Sequence, residues 1–133
     1  MTIGMAATLR NARLDAITTA AGSAALLTLY SGTRPATGGT ATTALATFTM
    51  GTPFAPASSG GVLSPTLPSA TTGLAGAGAG TPATWARLTT SGSTFVMDMS
   101  VGTSGADINL NTTTISTGVA VSMTSASLTD GNP

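Results

Sequence analysis

Only one stretch of this 133-residue chain has the make-up of a helix. Residues 5–21 (MAATLRNARLDAITTAA) contain neither Gly nor Pro and are dense in Ala, the strongest helix former. Met5, Leu9, Ala12, Ala16 and Ala20 fall on one side at helical spacing, and Thr8, Asn11, Asp15 and Thr18 on the other. Gly22 stands where a glycine commonly ends a helix. Beyond it the chain alternates apolar and polar residues in short runs broken by Gly, Pro, Ser and Thr. Strands are predicted at 24–30 and 45–50, around 62–67, at 83–90 and 93–101, and in short pieces between 108 and 128. No helices lie between them, which argues against a parallel α/β arrangement. The expected fold is all-β, a jelly-roll-like antiparallel β-sandwich of about seven or eight short strands preceded by one N-terminal helix. The expected organisation is a helical arm over 1–22 and a β-sandwich domain over 23–133.

Residues 83–90 and 93–101 flank Ser91-Gly92, a two-residue hairpin signal. Such a loop sets Leu88 opposite Phe95, Ala86 opposite Met97 and Thr84 opposite Met99, all on one side. Phe95, Met97, Met99 and Val101 form the strongest period-two pattern in the chain, so that side is the predicted core. On the other side Trp85 faces Asp98, with Arg87 diagonal to it. Residues 51–82 hold five of the seven prolines and the run GLAGAGAG, and read as a Gly/Pro/Ala-rich loop region that cannot order itself alone. Pro65 would confine any strand there to an edge. Near the C-terminus the apolar parity shifts from Val119, Val121 and Met123 to Ala126 and Leu128, which predicts a bulge or a change of partner sheet. The closing TDGNP is polar and is predicted to fray.

Composition limits the chemistry. Thr (28), Ala (23), Gly (17) and Ser (14) make up about three-fifths of the chain, whereas Leu, Val, Ile and Phe together number 24. Four Arg (Arg10, Arg13, Arg34, Arg87) balance four Asp (Asp15, Asp98, Asp107, Asp130), and Lys, Glu, His and Cys are absent. Disulfide scaffolds and thiol catalysis need Cys, and most transition-metal sites need Cys or His. The abundant Ser and Thr have no His or Lys to activate them. Asp107 in SGADINLN is the best calcium candidate, but the acids are scattered and it reads as a turn residue. GLAGAGAG lacks the residues of a phosphate loop. No catalytic residue, cofactor or metal is therefore expected. A basic nucleic-acid footprint and a polybasic membrane patch are both missing. Residues 1–9 carry no basic residue and no apolar run approaches the ~20 of a membrane span, so neither a secretory signal nor a spanning segment is expected. Absence of Cys fits synthesis in a reducing cytoplasm. Only 6% of residues are charged, against about 25–35% on a typical soluble surface, which points to a surface covered by neighbours.

Two pairs of residues admit a structural and a binding reading. The stems of Arg10 and Arg13 can cover apolar surface, or their guanidinium groups can pair with carboxylates on a partner. Trp85 and Arg87 can be enclosed by a second layer, or can anchor an interface, where both residue types are common. The six methionines read as core filler.

The segments TIGMAATLRNARLDAI, LLTLYSGTRPATGG and ATWARL with FVMDMSVGTSGADINLNTTTIS resemble the cement, or decoration, proteins of tailed-phage heads, of the jelly-roll kind. The resemblance runs from about residue 2 to residue 128 and is most specific in SGTRPATGG and SVGTSGADINLN; residues 51–82 match poorly. It implies a non-enzymatic virion protein, made in the host cytoplasm, that docks on the outer surface of the capsid. There it would bind the major capsid protein and itself, as a dimer or trimer at a symmetry axis, and bridge neighbouring capsomers against the pressure of packaged DNA. Neither nucleic acid nor membrane is an expected partner. Contacts are expected on the helix (Arg10, Arg13), the SGTRPATGG loop (Arg34), the 51–82 region and the Trp85–Arg87 face. The alternative is a tail-fibre or tail-tip β-sandwich module that binds host glycans through Trp85 beside Asp98. A small hydrolase is a third reading, against which the absence of His weighs.

Overall fold

A computed structural model describes residues 3–130. Its helix, α1, spans Ala7–Ala21 and ends as expected: Gly22 takes φ 69° and donates its N–H to the Thr18 carbonyl at 3.2 Å. The side it buries is not the predicted one. Leu14 and Ala21 are buried and Ile17 packs against the core, whereas Leu9, Ala12, Ala16 and Ala20 face outward. Two physical reasons account for this. Leu14 and Ile17 remove more apolar area from water than a row of alanines can. The loop around residues 58–61 also needs acceptors, and the polar side of α1 supplies them. Asp15 Oδ1 accepts the Ser58 N–H at 2.8 Å and Asn11 Oδ1 the Gly61 N–H at 2.9 Å. The helix is thus docked on the body of the protein.

The rest is mostly β. The main strands are β1 (Leu26–Tyr30), β2 (Ala44–Thr49), β6 (Trp85–Thr89), β7 (Phe95–Gly102), β8 (Ile108–Leu110) and β11 (Met123–Ala126). They form one six-stranded sheet in the order β11-β8-β7-β6-β1-β2. Its pairs are antiparallel except β7 with β8, where Val101 lies beside Ile108. The intervening turn is held by Asp107, which accepts both the N–H and the hydroxyl of Ser100 at 3.0 and 2.9 Å. Asp107 is thus the turn residue it was expected to be.

The remaining strands are short: β3 (Val62–Leu63), β4 (Thr71–Thr72), β5 (Thr81–Pro82), β9 (Thr114–Ile115), β10 (Ala120–Val121) and β12 (Leu128–Thr129). They pair β3 with β12, β4 with β10 and β5 with β9, all antiparallel. These ladders are one interrupted ribbon, in which the 62–82 segment runs against 114–129. Its two sides approach so closely at Gly73 that a Cβ there would run into the Ser116 carbonyl. The proline-rich region is thus paired along 62–82 with the C-terminal segment. It places Phe54 and Leu63 wholly inside the core with Leu27, Phe48, Leu88 and Met99.

Two sequence expectations about register meet different outcomes. The parity shift near the C-terminus corresponds to both devices: an irregularity between Met123 and Ser125, and a change of partner from β8 to β3 as β11 gives way to β12. The 83–101 hairpin is displaced. Its loop has three residues, not two, because Ser93 adopts φ 67° and closes a turn onto the Thr90 carbonyl. A bulge then leaves Val96 unpaired, so that Leu88 meets Met97, Ala86 meets Met99 and Arg87 meets Asp98. The shift of two keeps Met97 and Met99 on their predicted side but releases Phe95 from the core. Asp130 does not fray, since its N–H reaches the Gly61 carbonyl at 3.0 Å; residues 131–133 of the predicted fraying tail lie outside the described residues.

Two outcomes test this architecture. Phe54→Ala should lower unfolding stability in urea by about 3–5 kcal/mol, as for a buried aromatic, whereas an unanchored 51–82 loop would give a change near zero. The hydrogen bond from the Ser58 backbone, with that residue's side chain, lowers the Asp15 pKa below its ordinary 3.8. A depressed carboxyl contributes stability above its unfolded pKa and loses it as pH falls through the folded value. Protection of the Ser58 amide, its exchange rate taken relative to that of an unfolded chain at the same pH, should therefore hold from neutrality down to about pH 4 and fall below it, and Asp15→Asn should remove that acid-dependent step.

Candidate functional site

The core-facing residues of β1 and β6 are Leu27, Leu29, Ala86 and Leu88, so alternation turns Tyr30, Trp85 and Arg87 to the opposite face of the sheet. There they build a second, smaller packing unit. Tyr30 and Trp85 are cross-strand partners whose rings stack at 4.4 Å and 17°. The Arg87 guanidinium lies 5.2 Å from the Trp85 ring centre and 5.1 Å from that of Phe95. Its Nε and Nη2 donate to the two Asp98 oxygens at 2.7 and 3.0 Å, and its Nη1 donates to the Gly39 carbonyl at 2.9 Å. The hydrogen bonds to Asp98 raise the Arg87 pKa above its ordinary value, so the cation is held charged.

The lid over this unit is the 31–43 loop. The Trp85 indole N–H reaches the Ser31 carbonyl at 3.3 Å and the Thr42 hydroxyl at 3.2 Å. Thr42 in turn donates to Ser31 and Thr84 donates to the Gly32 carbonyl. A tight turn brings the Gly39 N–H to the Ala36 carbonyl at 2.7 Å, and a Cβ at Gly39 would meet that same oxygen at 2.9 Å. Glycine is therefore required where the loop presents its carbonyl to Arg87.

This geometry sorts the five residues singled out from sequence. Trp85 is 2% exposed and belongs to the enclosed reading rather than to an open interface. Arg87 and Asp98 side chains are 11% and 6% exposed and are spent on each other and on the loop. Asp98 lies opposite Arg87, not opposite Trp85 as the two-residue loop predicted. Arg10 donates to the Asp130 carbonyl at 3.2 Å, and Arg13 pairs with the Asp130 carboxylate at 3.2 Å, so both hold the helix to the C-terminal segment. Arg34 is different. It is exposed, and among the described residues it is the one charged side chain with no hydrogen bond or ion pair.

Arg34 borders a cavity of about 330 Å³ between the loop tip and the start of β7, where Phe95, Val96 and Met97 are half-buried. A second hollow of about 300 Å³ lies between α1 and the C-terminal strand, but its Arg13, Asp107 and Asp130 are already partnered. Sequence reasoning passed over Tyr30, Gly39 and the outward turn of Phe95. Tyr30 was within reach through parity with Leu27 and Leu29, whereas Gly39 and Phe95 depend on the loop path and the bulge.

Arg87→Ala should leave the partly buried Asp98 without its counter-charge and cost about 1.5–3 kcal/mol in thermal or urea unfolding. Arg87→Lys should rescue little of it, because an ammonium cannot fork onto both oxygens and Gly39 together. The emission of the single Trp, which sits under the loop, reports both changes. Searches with the whole chain found no matching family model, no similar curated protein and no similar solved structure.

Proposed function

We propose that this chain is a structural, non-enzymatic virion protein that docks on the outside of a phage capsid as a jelly-roll-type cement. The observation that carries the reading is the state of its charges. Every described Asp accepts a bond from within the chain, three of the four Arg are likewise engaged, and the exterior left over is mostly Thr, Ser, Ala and Gly. Such a surface offers no acid–base pair for chemistry and little ionic barrier to close packing against neighbours. Leu9 on the exposed side of α1, at 51%, and Ile3 ahead of the helix, at 66%, add apolar surface to it.

The two segments that most resemble phage cement proteins, SGTRPATGG and SVGTSGADINLN, are both tied down by hydrogen bonds. The first is clamped by Trp85, Thr84 and Arg87, and the second by the Ser100–Asp107 exchange and by Asn109, whose side chain bonds Ala106 on both sides. The ribbon of 62–82 against 114–129, which shares one core with the six-stranded sheet, supports the jelly-roll element of the reading. On a shell, one modest contact repeated at every copy becomes strong attachment. A glycan-binding role needs Trp85 open beside a free Asp98, whereas Trp85 is covered and both Asp98 oxygens are taken by Arg87.

The test is attachment to particles. Purified protein should co-sediment with emptied phage heads, and mass spectrometry of virions should give a copy number comparable with that of the major capsid protein. Raising salt from about 0.1 to 1 M shortens the screening length from about 10 to 3 Å, so the Arg34 contribution to binding should weaken while the neutral contacts persist. Failure to sediment with heads, together with a handful of copies per virion, would overturn the proposal.

A further inference from the structure

We infer that the cavity beside Arg34 is a preformed site for an acidic segment of a protein partner, one that carries an Asp or Glu carboxylate next to an apolar side chain. The argument starts from a mismatch of charge. Asp98 also lines this cavity, but both of its oxygens are taken by Arg87, so it cannot neutralise Arg34. Arg87 is closed to a ligand, because its fork is on Asp98 and its remaining terminal nitrogen is on Gly39. The site therefore presents one net positive charge, on a side chain whose planar donor fork fits a carboxylate.

The walls supply the second half of the specificity. Pro35 on one side and Phe95, Val96 and Met97 on the other supply half-buried apolar walls, with Val96 and Met97 backed by the core. Phe95 is available here because the Val96 bulge turned it out of the core. A volume of about 330 Å³ accommodates one or two side chains and is far too small for a folded domain. Preorganisation is built in, since the loop that carries Arg34 is tied at Ser31, Gly32 and Gly39 to the sheet below. A ligand meets a rigid wall and does not have to order it.

That the acidic segment belongs to a capsid subunit rests on the function proposed above; the chemistry of the site does not. The test therefore has two arms. In the first, the isotope-labelled full chain is titrated by NMR with acetyl-Leu-Asp-Leu amide, with its Asn counterpart and with inorganic phosphate. Shifts should localise to the amides of residues 36–37 and 95–98 and saturate in the millimolar range. The Asn peptide should bind about tenfold more weakly, as expected for loss of a charge-assisted hydrogen bond. Arg34→Ala should abolish the response and Arg34→Lys should keep part of it. Arg34 is exposed and unpaired, so both variants should fold. Equal response to the Asp and Asn peptides, a response unchanged in Arg34→Ala, or phosphate binding as strong as the peptide would overturn the inference. In the second arm, heads are offered wild type and Arg34→Glu. Equal attachment of the two overturns the assignment of the acidic segment to a capsid subunit and leaves the capsid reading intact. Peptide binding as described, with no attachment of wild type to heads, overturns the capsid reading alone.

Discussion

Arg87 holds together more of the non-core face than any other side chain. Its guanidinium satisfies a carboxylate, a loop carbonyl and two aromatic rings at once, so strands β6 and β7, the hairpin bulge and the 31–43 loop all meet on one planar cation. An ammonium could not do this, because it lacks the flat face that lies between Trp85 and Phe95. The chain has no Lys at all, and its four Arg are distributed accordingly. One organises the outer face, two fasten the helix to Asp130, and one is left to solvent.

That distribution explains how so small an apolar supply suffices. The core proper lies on one face of the sheet and is closed by the ribbon and by Leu14 of α1. The other face is not left to water. It carries a stacked aromatic pair under a bonded loop, which removes further apolar area without a second full layer. Polar residues then do much of the fastening. Asn11, Asp15, Ser100, Asp107 and Asn109 each bond to backbone in another segment or across a turn. Those side chains are short, so fixing them costs little rotamer entropy.

Much of the architecture was legible in the sequence. The helix, its Gly22 stop, the strands at 26–30 and 44–49 and the parity break before Leu128 all follow from periodicity and breaker residues. What escaped had physical causes. The buried face of α1 was set by partners in the 58–61 loop, and an alanine row carries no information about such partners. The hairpin register turned on Ser93 entering a left-handed conformation that Ser rarely adopts. The order of the 62–82 segment depended on residues some fifty positions away, beyond the range of any local pattern. At the candidate site, Arg34 was identified from its loop, but its isolation became visible only when every other charge had found its partner.

The ribbon has a consequence for how the chain is made. Its rungs join Val62 to Thr129, Thr71 to Val121 and Thr81 to Ile115, so each closes a loop spanning a quarter to half of the sequence. A chain growing from its N-terminus thus displays the middle segment well before the matching strands leave the ribosome. Contacts of such long range also make folding slow. During that interval the exposed stretch is studded with Pro and Gly, which are poor material for cross-β stacking. The same residues that keep it from folding early keep nascent copies from sticking to one another.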